Sequence, residues 1–378
     1  MTDLTKRTWA EIDLSAIGHN YHAIRAQLPE GCRFLGVVKA DAYGHGALRV
    51  SSLLQSLGAE YLAVSCLDEA IELRHGGIEI PILILGHTPA EYTKVLLDYS
   101  LTQTSSALAK ALEYSEAASR LGGRLKMHIK LDTGMARLGY LCDGALFEEG
   151  VQNVITSCGL PGLDFEGIYT HFSVSDETDE GSRAFTKKQF RLFQAVIGEV
   201  ANRSGFHFSI RHCANSGAVV NYPETALDMV RPGLLLYGYG GENRFDLRPA
   251  MRLVSTISTI KHQEPGTDVS YGRHFRTSRR TRMGVVAAGY ADGIPRLSSN
   301  KCSYRVAGAD APQLGTVCMD MCMVDLTDIY DAEVGSEVEI FGPNNDICRI
   351  ADAAQTIPYE LLCSVSKRVP RVYVRGSY

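Results

Sequence analysis

The sequence predicts an α/β protein: an N-terminal (β/α)8 TIM-type barrel over residues 1–244, followed by a C-terminal mainly β domain over residues 245–378. Three observations predict it. Short apolar runs alternate with longer segments of helical periodicity through the first two-thirds of the chain. Runs such as 61–65 and 80–85 are nearly continuous in apolar residues, as strands covered on both faces of a parallel sheet are. After about Glu242 the helical periodicity gives way to short β-type runs punctuated by glycine and proline.

The barrel-type runs lie at residues 33–39, 61–65, 80–85, 101–104, 126–131, 165–170, 208–212 and 227–231. Amphipathic stretches at 47–57, 68–75, 107–121 and 184–203 fall between them, with apolar residues near helical spacing. Eight strand–helix units favour a closed barrel; an open doubly wound sheet is the alternative. In the second part, β-type runs occupy 253–260, 282–287, 304–306 and 337–341. A length of 378 residues suits two domains sharing one active site.

Composition narrows the function classes. With 38 Lys and Arg against 43 Asp and Glu, the formal charge of -5 offers no basic face for nucleic acid. The cluster from Arg273 to Arg282 is flanked by acidic segments and reads as a solvated loop. No stretch approaches the ~20 apolar residues of a membrane span, and the start, Met1 to Ala10, lacks the hydrophobic segment of a signal peptide. The ten cysteines are scattered, and Cys318 and Cys322 are too far apart for a zinc-type C-x2-C pair. The reading is no metal site, and reduced thiols in a cytoplasmic protein.

The polar residues at the strand ends carry the chemistry. Lys39 ends the first strand, Arg137 follows the fifth, His171 ends the sixth, Asn215 and Ser216 follow the seventh, and Arg231 ends the eighth. In a barrel all of these reach the C-terminal rim, where barrel enzymes place their sites. The loops after strands seven and eight supply Ser216-Gly217 and Pro232-Gly233-Leu234, where glycine lets backbone N–H groups approach a phosphate. A phosphate site opposite a strand-end lysine suggests pyridoxal phosphate, whose aldehyde condenses with an amine and whose ring delocalises a carbanion. Each residue alone has an ordinary reading: a solvated lysine, an ion-paired arginine, a helix-capping Asn-Ser step. Their joint placement on one rim favours the functional one.

The block from Val37 to Gly46 (Val-Val-Lys-Ala-Asp-Ala-Tyr-Gly-His-Gly) resembles the cofactor-lysine signature of the alanine racemase family. The resemblance continues in the family's order through Lys130 to Gly139, Thr170-His171-Phe172, His212 to Ser216 and Arg231-Pro232-Gly233. It extends through Ser270 to Arg273, Gly289 to Gly293, Cys318-Met319-Asp320 and Lys367 to Arg371.

The resemblance implies a pyridoxal-phosphate-dependent racemase interconverting L- and D-alanine, a source of D-alanine for peptidoglycan. Lys39 would hold the cofactor and serve as the D-side base; Tyr271 would be the L-side base, followed in its loop by Arg273. A chain from Tyr271 to His212 to Arg231 would assist the phenol, whose ordinary pKa of ~10 makes it a poor base. Arg231 would face the pyridine nitrogen as a donor that keeps its own proton, making the ring a weaker electron sink. Tyr43, Ser216, Gly233, Leu234 and Tyr359 would bind the phosphate, Arg137 the phenolic oxygen, His171 would lie beside the ring, and Asn215 would also contact the cofactor. Met319 would offer its N–H to the substrate carboxylate beside Arg137, with Asp320 behind it; Lys130 is carbamylated in many family members, which orients the arginine.

The implied assembly is a homodimer in which Tyr271 and Met319 complete the partner's site. Asp176, Tyr290 and Arg296 would line the substrate access corridor. One departure is visible there: where the family often has arginine, two positions before Cys318, this chain has Thr316. The alternatives are a serine or broad small-amino-acid racemase, a non-catalytic cofactor carrier, and a decarboxylase. Tyr359 argues against serine preference, the domain carrying Tyr271 and Met319 against a carrier, and Arg231 against a decarboxylase.

Overall fold

The computed structural model describes residues 7–241 and 244–374, so Glu242, where the sequence changes character, lies outside the described residues. The chain divides into two units. One comprises Gly18–Ala42 and the described residues of Ala47–Leu247; the other comprises the described residues up to Ile17, Tyr43–Gly46, and those from Arg248 onward.

In the first unit the eight predicted strands form, as Arg33–Val37, Tyr61–Val64, Ile82–Ile84, Thr102–Ser105, Leu125–Asp132, Leu163–Tyr169, Ile210–His212 and Met229–Val230. Neighbours along the chain pair in parallel, and the eighth strand pairs with the first. The last gap closes through the Asp228 N–H on the Arg211 carbonyl (3.1 Å), the Arg231 N–H on the Ala214 carbonyl (2.9 Å), and a parallel bridge between Asn215 and Arg231. The result is a TIM-type barrel, with Phe34, Leu62, Leu83 and Ile129 fully buried in its strands.

The predicted helices form as Ala47–Leu57, Leu67–His75, Leu108–Arg120 and Glu180–Ser204. The last begins where the Asp179 side chain accepts the Ser182 N–H and ends at Gly205 in the left-handed conformation (φ 69°). The helix Phe147–Cys158 escapes a reading by propensity. Gly150 and the β-branched Val151, Val154, Ile155 and Thr156 are weak helix formers, and burial of Val151 and Val154 holds it instead. A side chain on Gly150 would overlap the Leu141 carbonyl, so the glycine serves close packing.

The second unit is built on one long strand, Met251–Gln263. Its first half pairs with Glu337–Phe341 on one side; from Ile257 on it pairs with Thr281–Val286, with a register shift between Ile257 and Thr259. From there the sheet passes through Cys322–Asp325, Ala309–Leu314 and Ser303–Val306 back to Glu337–Phe341, so six strands close on themselves. The strand Thr8–Asp13 pairs antiparallel with Met251–Gln263 and parallel with Arg371–Val374. The sequence reading grouped these N-terminal residues with the barrel. Their partner strand begins more than two hundred positions downstream, a separation that periodicity does not register.

Asp292 ties this unit together. Its fully buried carboxylate accepts from Arg7 (2.8 and 3.0 Å), from Arg368 (2.8 and 2.9 Å) and from the Gly289 N–H (2.9 Å). Burial pushes this carboxyl up, but Arg7 and Arg368 outweigh it and hold the group below the ordinary aspartate value. A carboxyl held low in the fold contributes stability that is present above its unfolded pKa and fades as pH falls through the folded one. Asp292→Asn should therefore lower unfolding stability at neutral pH by about 2 kcal/mol, less than a fully buried pair because both arginines are partly exposed. The difference from wild type should shrink on acidification. Denaturant titrations at neutral and acid pH check both statements; equal midpoints at neutral pH would refute the assigned role.

Candidate active site

The first barrel strand ends at Val37, its carbonyl fixed by the Tyr237 hydroxyl (2.9 Å). Lys39 follows, half-buried, and the chain then runs left-handed through Ala40, Asp41, Ala42 and Tyr43 (φ 52°, 53°, 53° and 53°). Each such non-glycine residue costs about 1 kcal/mol or more, so the turn needs external support. Glu69 supplies it, accepting the Ala40 N–H (2.7 Å) on one oxygen and the Ser65 N–H (2.6 Å) on the other. Asp41 in turn accepts the Ala47 N–H at 2.7 Å. The lysine is thus presented from a strained but anchored turn.

Lys130 lies inside the same mouth, 5% exposed. Burial, with Arg137, Arg231 and Lys39 nearby, pushes its amine down to about 8 against the opposing pull of Asp132. Asp132 does not serve as its partner in an ion pair. Its carboxylate accepts the N–H groups of Gly134, Ala136 and Arg137, each at 3.0 Å, and so shapes the loop that carries Arg137. Arg137 itself is exposed.

Arg231, 4% exposed, donates to neutral acceptors: His212 Nδ1 (3.0 Å), the carbonyls of Thr170 (2.8 Å) and Cys213 (3.3 Å), and His171 Nδ1 (3.5 Å). Burial, then Arg231 and the other cations, pushes His171 well below the ordinary imidazole value. The same holds for His212, whose causes are burial, Arg231 and His128. The His212 ring stacks on Tyr169 (centroids 4.8 Å apart, 17° between planes), and Tyr169 also lies under Arg231 and Lys130 at 5.2 and 5.5 Å. The chain from Tyr271 to His212 to Arg231 fails at its first link. Arg231 occupies one nitrogen of His212 and His128 Nδ1 the other (2.9 Å), leaving no ring nitrogen for a phenol. The imidazole that meets Arg231 while remaining partly exposed is His171.

On the phosphate-type side of the rim, the Ser216 hydroxyl accepts the N–H groups of Gly233 (2.9 Å) and Leu235 (3.5 Å), joining the loops after strands seven and eight. Asn215 caps the short helix Ser216–Asn221, accepting the Ala218 N–H (3.0 Å) and the Ser175 hydroxyl (2.7 Å). A side chain on Gly217 would come within 2.7 Å of the Asp176 backbone, so this approach requires glycine. Leu234 is buried and Asp176 exposed.

In the β unit, Tyr43 and Tyr359 face each other with ring centroids 5.8 Å apart. Tyr271 is 70% exposed on a loop held by Thr316, whose hydroxyl donates to the Tyr271 carbonyl (2.8 Å). Arg273 pairs with Asp268 at 2.6 Å. Met319 and Tyr290 are both exposed, and their loops interlock: the Tyr290 N–H meets the Cys318 carbonyl (2.9 Å) and the Ala291 N–H the Met319 carbonyl (3.0 Å). Asp320 pairs with Arg368 at 2.7 Å, and Arg296 stands exposed in a 3-10 turn. The sequence reading passed over Tyr169, His128, Glu166 and Glu69. For His128 a signal existed, because His128, Lys130 and Asp132 alternate along one strand and share its inner face.

Residues 12–240 match the alanine racemase N-terminal domain and residues 250–373 the alanine racemase C-terminal domain. The chain is 42% identical to the alanine racemase of Desulfosudis oleivorans, covering 98% of this chain and 97% of that one. It is also 42% identical to that of Desulfovibrio desulfuricans, covering 99% and 100%. The solved alanine racemase of Clostridium difficile 630 superposes with a TM-score of 0.92 at 38% identity, over 99% of this chain and 97% of the other. With matches over both units, the chain belongs to the alanine racemase family.

Proposed function

We propose that the protein interconverts L- and D-alanine with pyridoxal phosphate, using Lys39 and Tyr271 as opposed bases in a homodimer whose sites draw on both subunits. One observation carries the reading: Lys39, Lys130, Arg137 and Arg231 share a barrel mouth whose nearby carboxylate, Asp132, is turned to backbone N–H groups. Such a mouth suits a ligand bringing its own negative charge. The donor set fits the cofactor: an amine at Lys39, a hydroxyl and glycine-rich backbone at Ser216, Gly233 and Leu234, and phenols at Tyr43 and Tyr359. Arg137 matches a phenolic oxygen and Arg231 a ring nitrogen. When bound, the cofactor makes the alanine α-proton acidic by delocalising the electron pair left behind.

The side chains then divide the work. One base removes the α-proton from its face and the other returns a proton to the opposite face, so configuration inverts; Lys39 acts on the D side and Tyr271 on the L side. Tyr271 needs its proton affinity adjusted, and the imidazole suited to that task is His171, which remains partly exposed while touching Arg231. Arg137 and the Met319 N–H hold the substrate carboxylate. Tyr290, Arg296 and Asp176 line the approach. The exposure of Tyr271 supports a role in completing a second subunit's site. D-alanine for peptidoglycan is the proposed physiological product, and the ten free thiols fit the cytoplasmic location.

A chiral assay with L-alanine and L-serine tests the substrate. Alanine should be preferred by at least about tenfold in kcat/KM, since an added hydroxyl in a small pocket crowded by Tyr359 is disfavoured by about 1.4 kcal/mol. Equal efficiency with serine would overturn the assignment to alanine.

Subunit sharing is tested by mixing. Lys39→Ala and Tyr271→Phe homodimers should each be inactive, whereas exchanged heterodimers should recover up to half the wild-type activity, one site having both defects and the other neither. Proven heterodimers without activity would place both bases on one chain.

The Lys130 amine, held near 8, is unprotonated in roughly a tenth of molecules at neutral pH. Surrounded by cations, it should react with carbon dioxide to give a carbamate, whose negative charge neutralises part of the cluster and fixes Arg137. Protein equilibrated with 13C-bicarbonate should show a carbamate carbon resonance that Lys130→Arg lacks. The same spectrum for both proteins would exclude the modification.

A further inference from the structure

A TIM-type barrel fills its interior with branched apolar side chains. Here a line of polar groups runs inward from the catalytic rim. Arg231 meets His212, His212 Nε2 meets His128 Nδ1 at 2.9 Å, and His128 Nε2 points to Glu166 Oε1 at 3.6 Å. Both imidazoles are completely buried, and among the described residues His128 Nε2 has no closer hydrogen-bond partner. The Glu166 carboxylate also receives the Tyr61 hydroxyl at 2.9 Å and Lys126 at 3.5 Å, near the opposite end of the barrel, where Tyr61 begins its strand.

The chemistry of one member orients all the others. A guanidinium only donates, so His212 Nδ1 must be an unprotonated acceptor and its proton must sit on Nε2. That proton faces His128 Nδ1, which must then accept, placing the His128 proton on Nε2 toward the carboxylate. Every link therefore donates in one direction, from Arg231 to Glu166. The charge states agree. Burial keeps His128 and His212 below the ordinary imidazole value. Burial raises the Glu166 carboxyl, but His128, Tyr61 and Lys126 prevail and hold it at about 2.

The barrel makes room for this line. Gly167 lies opposite His128 on the neighbouring strand, after a register shift between Met127 and His128, and a side chain there would come within 2.5 Å of the His128 ring. Tyr169 clamps His212 from one face. Buried polar groups held in this way are costly unless the whole network is satisfied, and local departures of this kind belong to functional sites.

We propose that His128 and Glu166 are positioning residues for the racemisation: the fixed charge of Glu166 polarises the two imidazoles in series and holds Arg231 in one orientation and one charge state at the rim. This rests on the reading of Arg231 as the residue that faces the cofactor ring. The line moves no proton, since that would require Arg231 to surrender one. It supplies a strong neutral acceptor where a carboxylate would otherwise have to stand.

The test uses holoenzyme labelled with 15N-histidine, with signals assigned through His128→Asn and His212→Asn. Wild type at neutral pH should show both imidazoles neutral and protonated on Nε2. Glu166→Gln, which keeps the shape and removes the charge, should shift both sets of signals toward mixed tautomers and lower kcat by about tenfold, with KM for alanine changed less. Glu166→Asp should retain the tautomers. Gly167→Ala, which displaces the His128 ring, should disturb the same signals independently. A proton on Nδ1 of His212, or Glu166→Gln signals identical to wild type, overturns the proposal. Signals that shift while racemisation does not would instead overturn the placement of Arg231 at the ring, and the positioning role with it.

Discussion

Four basic side chains share one barrel mouth, and the architecture at that end follows from keeping them there without a dedicated carboxylate. Charges of one sign in a low-dielectric setting repel strongly, and a native structure normally relieves this with an ion pair. Asp132 is close enough to pull on Lys130 but spends its oxygens on the Gly134, Ala136 and Arg137 N–H groups. Relief comes instead from neutral acceptors and from proton release. Arg231 is met by two carbonyls and two imidazoles. Lys130 gives way, its amine held near 8. Such a site is poised for anionic groups, which the proposed phosphate-bearing cofactor and amino-acid carboxylate would supply.

The choice of imidazole rather than carboxylate beside Arg231 has a consequence for the ring it would face. A carboxylate would pair with the guanidinium and consume its donors in a bidentate contact. A neutral imidazole takes one donor and leaves the cation's field acting on its surroundings, which adds to burial in holding His171 and His212 below the ordinary imidazole value. Neutral imidazoles are in turn what permits the tautomer order along His212 and His128. The electrostatics of the rim and the hydrogen-bond order of the interior are therefore one arrangement.

Much of this was legible in the sequence because it is local or periodic. The eight barrel strands follow from apolar runs, and Lys39, His171 and Arg231 stand out as polar residues at strand ends. What was not legible depends on pairing across distance. Thr8–Asp13 joins the β unit through Met251–Gln263, and nothing in its own six residues says so. His128 and Glu166 belong to adjacent strands, but their meeting depends on a register shift and on the bare Cα of Gly167. The chain from Tyr271 through His212 was misassigned for a related reason. Both histidines stand at the ends of barrel strands, and only the geometry shows that one turns inward to a second imidazole while the other remains partly exposed.

The departure at Thr316 gains its meaning from the loop it supports. Ser270 (φ 65°, ψ -174°) lies in a region normally left to glycine, Arg273 is left-handed (φ 55°), and Gly272 between them has φ 74°. A loop of that kind returns toward relaxed geometry unless its neighbours over-determine it. The segment after Leu314 does so. Gly315 packs so closely on Val269 and Ser270 that a side chain would collide with both, the Ser270 hydroxyl donates to the Thr316 carbonyl (2.5 Å), and the Thr316 hydroxyl donates to the Tyr271 carbonyl (2.8 Å). An arginine at this position would bring charge but no short hydroxyl to reach that carbonyl. Threonine fixes the backbone at Tyr271 instead. In the proposed role of Tyr271 as a base, such a phenol would gain more from a fixed origin than from added charge, because a small misplacement of a base costs rate steeply.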